Sequence, residues 1–128
     1  MAGGDPPPAI SGDAIMRHNN LVLKYKLQSL DKSAGNKFVL VDISHVTNPE
    51  SIPLAFLLHY QSPEGKKFYL GSFALFPANN PGRFIVPTQG KVGQDGEVVL
   101  SMEPLQDHGA TTSVRVHIRE VKLTNHLD

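Results

Sequence analysis

Apolar residues recur at every second position in short runs along most of the chain, and turn-forming residues separate the runs. In residues 23–28, for example, an apolar residue alternates with lysine or glutamine. A period of two is typical of a β-strand that has one buried face and one wet face. The same pattern predicts seven strands, over residues 21–28, 38–46, 54–60, 67–76, 84–86, 97–103 and 113–123.

The runs together predict an all-β fold. No segment has the 3.6-residue period of a helix, and ten prolines punctuate the chain. We therefore expect an antiparallel β-sandwich of about seven to eight strands, of jelly-roll or immunoglobulin-like type. The strands at 38–46 and 54–60 are separated by little more than a turn and are expected to be antiparallel neighbours.

Two local departures from regular strand geometry are also predicted. In the last strand the apolar residues lie at even positions up to residue 118 and at odd positions from residue 121. The change falls at Arg119 and Glu120 and indicates a β-bulge there. Gly71 lies inside a strand, where glycine usually marks a bulge or a close backbone approach, so Gly71 should tolerate no large side chain.

The length of 128 residues suits one domain. Residues 1–13 are rich in proline and glycine and are expected to form a flexible, disordered tail or linker, followed by a single β-sandwich domain over residues 14–128. No apolar run is long enough to span a membrane, and the first residues lack the features of a signal peptide. A soluble chain is expected, in a compartment that the sequence leaves open.

Charge and cysteine content narrow the functional classes. Twelve basic residues balance twelve acidic ones, so we expect neither a nucleic-acid partner nor a membrane partner. The absence of cysteine excludes disulfides, thiolate metal sites and cysteine nucleophiles.

The candidate catalytic and metal-binding residues do not form a known pattern. Six histidines are scattered without the spacing of helical or hairpin metal sites, so we predict no metal site and no tight binding of copper or zinc. Asp42 stands in an apolar strand and is expected to be structural, either paired with a lysine or arginine or bound to backbone donors. The alternative is that Asp42 is a functional acid. A nucleophile elbow and a phosphate-binding loop are absent, so no catalytic residue is assigned. The histidines are His18, His45, His59, His108, His117 and His126.

One loop offers a candidate contact with a partner. Residues 77–83 consist mainly of turn formers, and they are bordered by Phe76 and Phe84. Either ring is a candidate plug for a partner's pocket, with Phe84 the first choice because Gly82 and nearby prolines stiffen its approach. The alternative is that both rings are buried strand ends.

Three blocks of sequence resemble the C-terminal β-sandwich domain of tyrosinases and polyphenol oxidases, the type-3 copper enzymes. The first is the strand that contains Tyr69, Gly71, Ser72 and Phe73, the second is residues 98–104, and the third is residues 116–123. The resemblance extends over residues 37–123. Arg119 and Glu120 depart from it by replacing a Gly-Gly pair, and the copper-binding catalytic domain is absent.

The resemblance implies a non-catalytic domain that packs on a tyrosinase-like dicopper domain, in cis or in trans. There it would shield the active site or assist maturation, with Phe84 or Phe76 as the plug. No cofactor is then expected in this chain, and copper is expected in the partner. One alternative is a free-standing ligand- or carbohydrate-binding β-sandwich, and another is a small hydrolase with an unrecognised site.

Overall fold

The structure, a computed structural model, describes residues 14–17, 19–30, 35–75, 77–104 and 113–125. The predicted tail at 1–13 lies outside the described residues, as do Phe76 and the three histidines His18, His108 and His126. The helical element that lies wholly within the described residues is a short 3-10 turn, Leu27–Ser29. None of the described residues forms a helix with the length and apolarity needed to cross a membrane.

Eight strands are present among the described residues. They are β1 (Ala14–Arg17), β2 (Val22–Lys26), β3 (Phe38–Thr47), β4 (Leu54–Gln61), β5 (Lys67–Ala74), β6 (Gly82–Pro87), β7 (Glu97–Pro104) and β8 (Arg115–Thr124). Seven of them coincide with the predicted runs to within a few residues. Strand β1 was not predicted, because four residues with one fully buried side chain, Met16, are too few to reveal a period.

The strands form two antiparallel sheets. The first sheet has the order β1–β8–β3–β6 and the second has the order β2–β7–β4–β5. Strand β1 thus pairs with β8, β2 with β7, β3 with β6 and β4 with β5. This is the order obtained when one long antiparallel hairpin of eight strands is rolled into two layers. The predicted β-sandwich is confirmed, and its strand order is that of a jelly roll.

The prediction that β3 and β4 are antiparallel neighbours is wrong, because the two strands belong to different sheets. The connection between them crosses from one layer to the other. Asn48 is buried in this connection, and its side chain donates to the carbonyl oxygens of Ile52 (2.9 Å) and Ala78 (3.1 Å). Its Oδ1 also accepts from the Ile52 amide at 3.0 Å. The Asn48 side chain thus supplies hydrogen-bond partners to backbone groups that would otherwise be buried without one. The connection can therefore cross the end of the sandwich without forming a hairpin.

The predicted bulge at residues 119–120 is confirmed. Opposite β3, Glu120 pairs with Asp42 and Ile118 pairs with Ile43, so Arg119 is the extra residue on β8. The register then shifts back, because Ser44 is extra on β3. The extra Arg119 lets Ile118 and Val121 both face the core despite their three-residue separation, and the extra Ser44 does the same for Ile43 and Val46.

The core lies between the two sheets and draws on the inward positions of both. It includes Tyr25, whose ring is almost completely buried. Burial raises the pKa of Tyr25 well above its usual range, and its hydroxyl finds no hydrogen-bond partner in the part of the chain that the structure describes. Other fully buried core members are Met16, Val39, Val41, Phe56, Leu58, Val98, Leu100, Val116 and Ile118. Because the inward positions fill the core, the outward positions of each sheet are left for other uses.

Candidate functional site

The strand that carries the resemblance, β5, is an edge strand whose residues have separate structural tasks. Gly71 faces β6, where a Cβ atom would lie 2.7 Å from Val86 Cγ1. Leu70 is an extra residue in the pairing with β4, since Leu58 pairs with Gly71 and His59 pairs with Tyr69. The close approach predicted for Gly71 is therefore confirmed, and the bulge lies at the neighbouring Leu70.

The three other residues of that block point to different sides of the sheet. Phe73 packs against the core, whereas Ser72 and Tyr69 are exposed. Gly71, by its lack of a side chain, and Phe73, by its ring, thus serve packing between the sheets. Only Tyr69 presents a large apolar surface, with 49% of its area exposed.

Phe84 belongs to an aromatic stack that joins the two sheets. Its ring lies 4.4 Å from the ring of Phe73 with an 8° angle between planes, and Phe73 lies 5.1 Å from Phe56 at 12°. Phe84 is half-buried, so it is neither a freely protruding plug nor a fully buried strand end. To enter a partner's pocket, Phe84 would have to leave this stack, and its role as a plug stays a prediction. Phe76, the second choice, lies outside the described residues.

The outer face of the second sheet has an apolar centre, which we call the apolar face. Two cross-strand rows form it: Val22, Ser101, Leu57 and Ser72 in one, and Lys24, Val99, His59 and Tyr69 in the other. Val22 and Tyr69 lie on the two edge strands and are each about half exposed, at 47% and 49%. Together with Phe68 of β5, they are the exposed large hydrophobic side chains of the described residues.

His59 adds a second ring to the apolar face. It lies beside Tyr69, with ring centroids 5.4 Å apart. Burial, and to a smaller extent the positive charge of Lys67, lower the pKa of His59 below its usual value of 6.5. An imidazole whose pKa is lowered in this way is uncharged at neutral pH, which suits an apolar surface.

Asp42 lies on the outer face of the first sheet in an open cleft of about 390 Å³. Its Oδ2 is 3.4 Å from Arg119 Nε, and its side chain is only 14% exposed. The expectation that Asp42 pairs with a basic residue is confirmed. Arg83 and Ser44 also line the cleft.

The strand register brings together two histidines that are far apart in sequence. His45 and His117 are cross-strand partners, and their ring centroids lie 5.4 Å apart in an edge-to-face arrangement. Across the described ranges, no group of three or more histidine, cysteine, aspartate or glutamate side chains is placed to hold a metal ion. The prediction that the chain binds neither copper nor zinc tightly stays a prediction, as does the absence of catalysis.

Sequence reasoning missed a concentration of arginine on the same outer face. All four arginines of the chain occupy outward positions of the first sheet, on β1, β6 and β8, and we call this surface the arginine face. The alternation of Arg115, His117 and Arg119 with buried residues could have placed both arginines of β8 on one side of that strand. Arg17 and Arg83 join them only through the order of strands.

A scan against protein-family models and searches of curated proteins and of solved structures find no match to this chain. The fold therefore defines the class of protein, an eight-stranded β-sandwich with the strand order of a jelly roll. The resemblance to the tyrosinase domain rests on its three sequence blocks alone. Since Gly71 and Phe73 of the first block serve packing, that block bears on the fold more directly than on function.

Proposed function

We propose that this chain is a non-catalytic binding module that packs on a tyrosinase-like dicopper domain through its apolar face. The observation that carries the proposal is the half-exposed pair Val22 and Tyr69, at the two edges of one sheet face. Transfer of such side chains from water to an interface contributes about 25 cal/mol for each Å² of apolar area removed from solvent. Exposed apolar side chains that share one sheet face make that face a candidate interaction surface.

The charges around the apolar face specify the chemistry of the partner. Lys24 is the β2 end of its second row, and Lys67 of β5 lies in the next row, where Glu97 of β7 adds a carboxylate. Among the described residues the one ion pair joins Arg119 to Asp42, so neither lysine is in an ion pair there. The uncharged His59 lies between them in the register. Since Glu97 and Glu103 also border the apolar face, the matching partner surface is apolar at its centre and carries charges of both signs at its rim.

The identity of the partner comes from the resemblance, which implies a catalytic domain with two copper ions. The apolar face is a better contact than Phe84 because it is exposed without rearrangement. The Phe84 ring would lose its contact with Phe73, at 4.4 Å, before it could gain one with a partner. The surfaces are separable by mutation, since they lie on different sheets.

The test adds the purified chain to a tyrosinase catalytic domain and measures binding and the rate of monophenol oxidation. We expect the V22S/Y69S double variant to bind at least tenfold more weakly than the parent, because both side chains are half exposed and their loss leaves the core intact. The matched control is Phe84→Leu, which alters an apolar residue outside the apolar face and should bind like the parent.

Two results would contradict the proposal. If the parent neither binds nor inhibits such catalytic domains, the assignment of the partner is wrong. If Phe84→Leu abolishes binding while V22S/Y69S does not, the contact is the plug at the β5–β6 edge and not the apolar face. Circular dichroism of each variant shows whether the sandwich is still folded.

A further inference from the structure

The arginine face concentrates one kind of cation on one surface of a chain whose net charge is zero. Arg17, Arg115, Arg119 and Arg83 are all of its arginines, whereas lysines such as Lys24, Lys26 and Lys67 lie elsewhere. Lys122 of β8 faces the same side as the arginines. Among the described residues, five cationic side chains therefore share this surface with two carboxylates, those of Asp42 and Glu120, although the net charge of the chain is zero.

Two of these arginines are placed where their charges repel. Arg17 and Arg115 are direct cross-strand partners at the paired ends of β1 and β8. Like charges at directly opposite positions destabilise a sheet. In the described part of the chain the one ion pair belongs to Arg119, so Arg17, Arg115 and Arg83 have no carboxylate partner there. An anion bound between Arg17 and Arg115 would remove this repulsion.

The chemistry and spacing of the side chains point to a ligand with repeated charges. A guanidinium group offers a planar fork of donors that suits a multi-oxygen anion better than an ammonium group does. Arg115 and Arg119 are four residues apart on β8, which is about 13 Å at the usual rise of a strand and somewhat less across the bulge at Arg119. A single phosphate or sulfate ion is too small to reach both, so a linear polyanion is the fitting occupant.

We propose that the arginine face binds a sulfated polysaccharide. The carboxylates of Asp42 and Glu120 repel an anion, so the occupant needs a higher charge density than a polymer with carboxylates alone. Single-stranded nucleic acid fits poorly, because its binding uses exposed aromatic rings, and the exposed large hydrophobic side chains of the described residues lie in the other sheet. The cleft beside Arg83, Arg119 and Ser44 provides a second contact point.

The experiment measures binding to heparin by calorimetry at low ionic strength, where electrostatic binding is strongest. We expect R17Q/R115Q to bind at least tenfold more weakly than the parent and to have an equal or higher melting temperature, because the repulsion is removed. The matched control is K26Q/K66Q, which removes two positive charges away from the arginine face and should bind within twofold of the parent.

Three further arms decide between ligands. R17K/R115K keeps the charge but not the guanidinium fork, and we expect affinity between that of the parent and that of R17Q/R115Q. Polygalacturonate should bind more weakly than heparin. The proposal is overturned if heparin does not bind, if K26Q/K66Q loses as much affinity as R17Q/R115Q, or if polygalacturonate or single-stranded DNA binds as tightly as heparin. The arginine substitutions lie on the first sheet and the apolar face lies on the second. A failure to bind heparin therefore says nothing about the proposed contact with a tyrosinase-like domain, and the two proposals can fail separately.

Discussion

The outer face of the second sheet carries Tyr69 and Val22 about half exposed around an apolar centre, whereas the outer face of the first sheet carries every arginine of the chain. Both faces are built by the same alternation of inward and outward residues on antiparallel strands. The inner faces must fill one shared core and are similar in composition. The outer faces have no such common constraint, and their difference indicates that each has its own type of contact.

Gly71→Val should have the largest effect on stability. The absence of a side chain at Gly71 lets β5 approach β6 of the other sheet, so Gly71 contributes to the packing of the two sheets. The first added carbon would lie 2.7 Å from Val86 Cγ1. We expect the free energy of unfolding to fall by about 3 kcal/mol, at the upper end of the usual cost of overpacking. Denaturant unfolding measures it, and Ser72→Val, at the exposed neighbouring position, is the matched control. An unchanged Gly71→Val midpoint would contradict the close packing.

Phe84→Ala should be next, since it removes one ring from the stack that joins the sheets. For a half-buried phenylalanine we expect a loss of about 2 kcal/mol, less than the cost of truncating a fully buried ring. Phe68→Ala removes the same group from a more exposed position and should cost less than about 1 kcal/mol. Equal losses of stability for the two variants would show that the aromatic stack adds nothing to the packing of the two sheets against each other.

Tyr25→Phe and Tyr60→Phe should change stability in opposite directions, although both lie on the inner face of the second sheet. The Tyr25 hydroxyl has no partner among the described residues, whereas the Tyr60 hydroxyl donates to the Asp95 carbonyl oxygen at 2.5 Å. We expect Tyr25→Phe to raise the free energy of unfolding by about 1 kcal/mol and Tyr60→Phe to lower it by a similar amount. A loss of stability in Tyr25→Phe would indicate that its hydroxyl is satisfied.

Asp42→Asn should destabilise the arginine face slightly. Asp42 is the acid that pairs with Arg119, and that arginine is 61% exposed, so solvent screens much of the attraction. We expect a loss of about 0.5 kcal/mol, measured by thermal unfolding. Arg115→Gln should give a small gain, because it removes one of two opposed charges. The same sign for both variants would contradict the view that positive charge is in excess on this face.

The smallest effect is a dependence on pH from the apolar face. Burial and Lys67 lower the pKa of His59 in the folded chain, so the unfolded chain takes up the proton first as the pH falls. The contribution of His59 is therefore fully present above about pH 6.5 and decreases as the pH falls from there through the folded-state pKa. The melting temperature of the parent minus that of His59→Gln should therefore fall as the pH is lowered across that window. A constant difference would contradict the lowered pKa.

Much of the fold could be predicted from the chain, because strand alternation is a local property. The runs predicted seven strands, and the parity change at Arg119 predicted a bulge that the pairing of Asp42 with Glu120 confirms. Strand β1 was missed because it is too short to show a period. The pairing of β3 with β4 was wrong because sequence proximity favours a hairpin, whereas the buried Asn48 connection carries the chain to the other sheet.

The candidate surfaces were harder to predict. Tyr69 was singled out for a resemblance, and its exposure came from its place on an edge strand. Phe84 was expected to protrude, but the approach of β5 to β6 gives its ring a stacking partner. His45 and His117 looked unrelated in sequence, yet the register of β3 with β8 makes them neighbours. These features depend on contacts between residues distant along the chain.

The sequence by itself determined the fold class, most strand positions, the bulge at Arg119 and the restriction at Gly71. Each follows from the period of two or from the geometry of single residues, which act over a few positions. Only the tertiary structure decided the strand order, and with it the apolar face and the arginine face. Tyr69 and Val22 share one face because β5 and β2 belong to the same sheet. Arg17 and Arg115 oppose each other because β1 pairs with β8. Local alternation sets which side of a strand a residue occupies, but long-range pairing sets its neighbours.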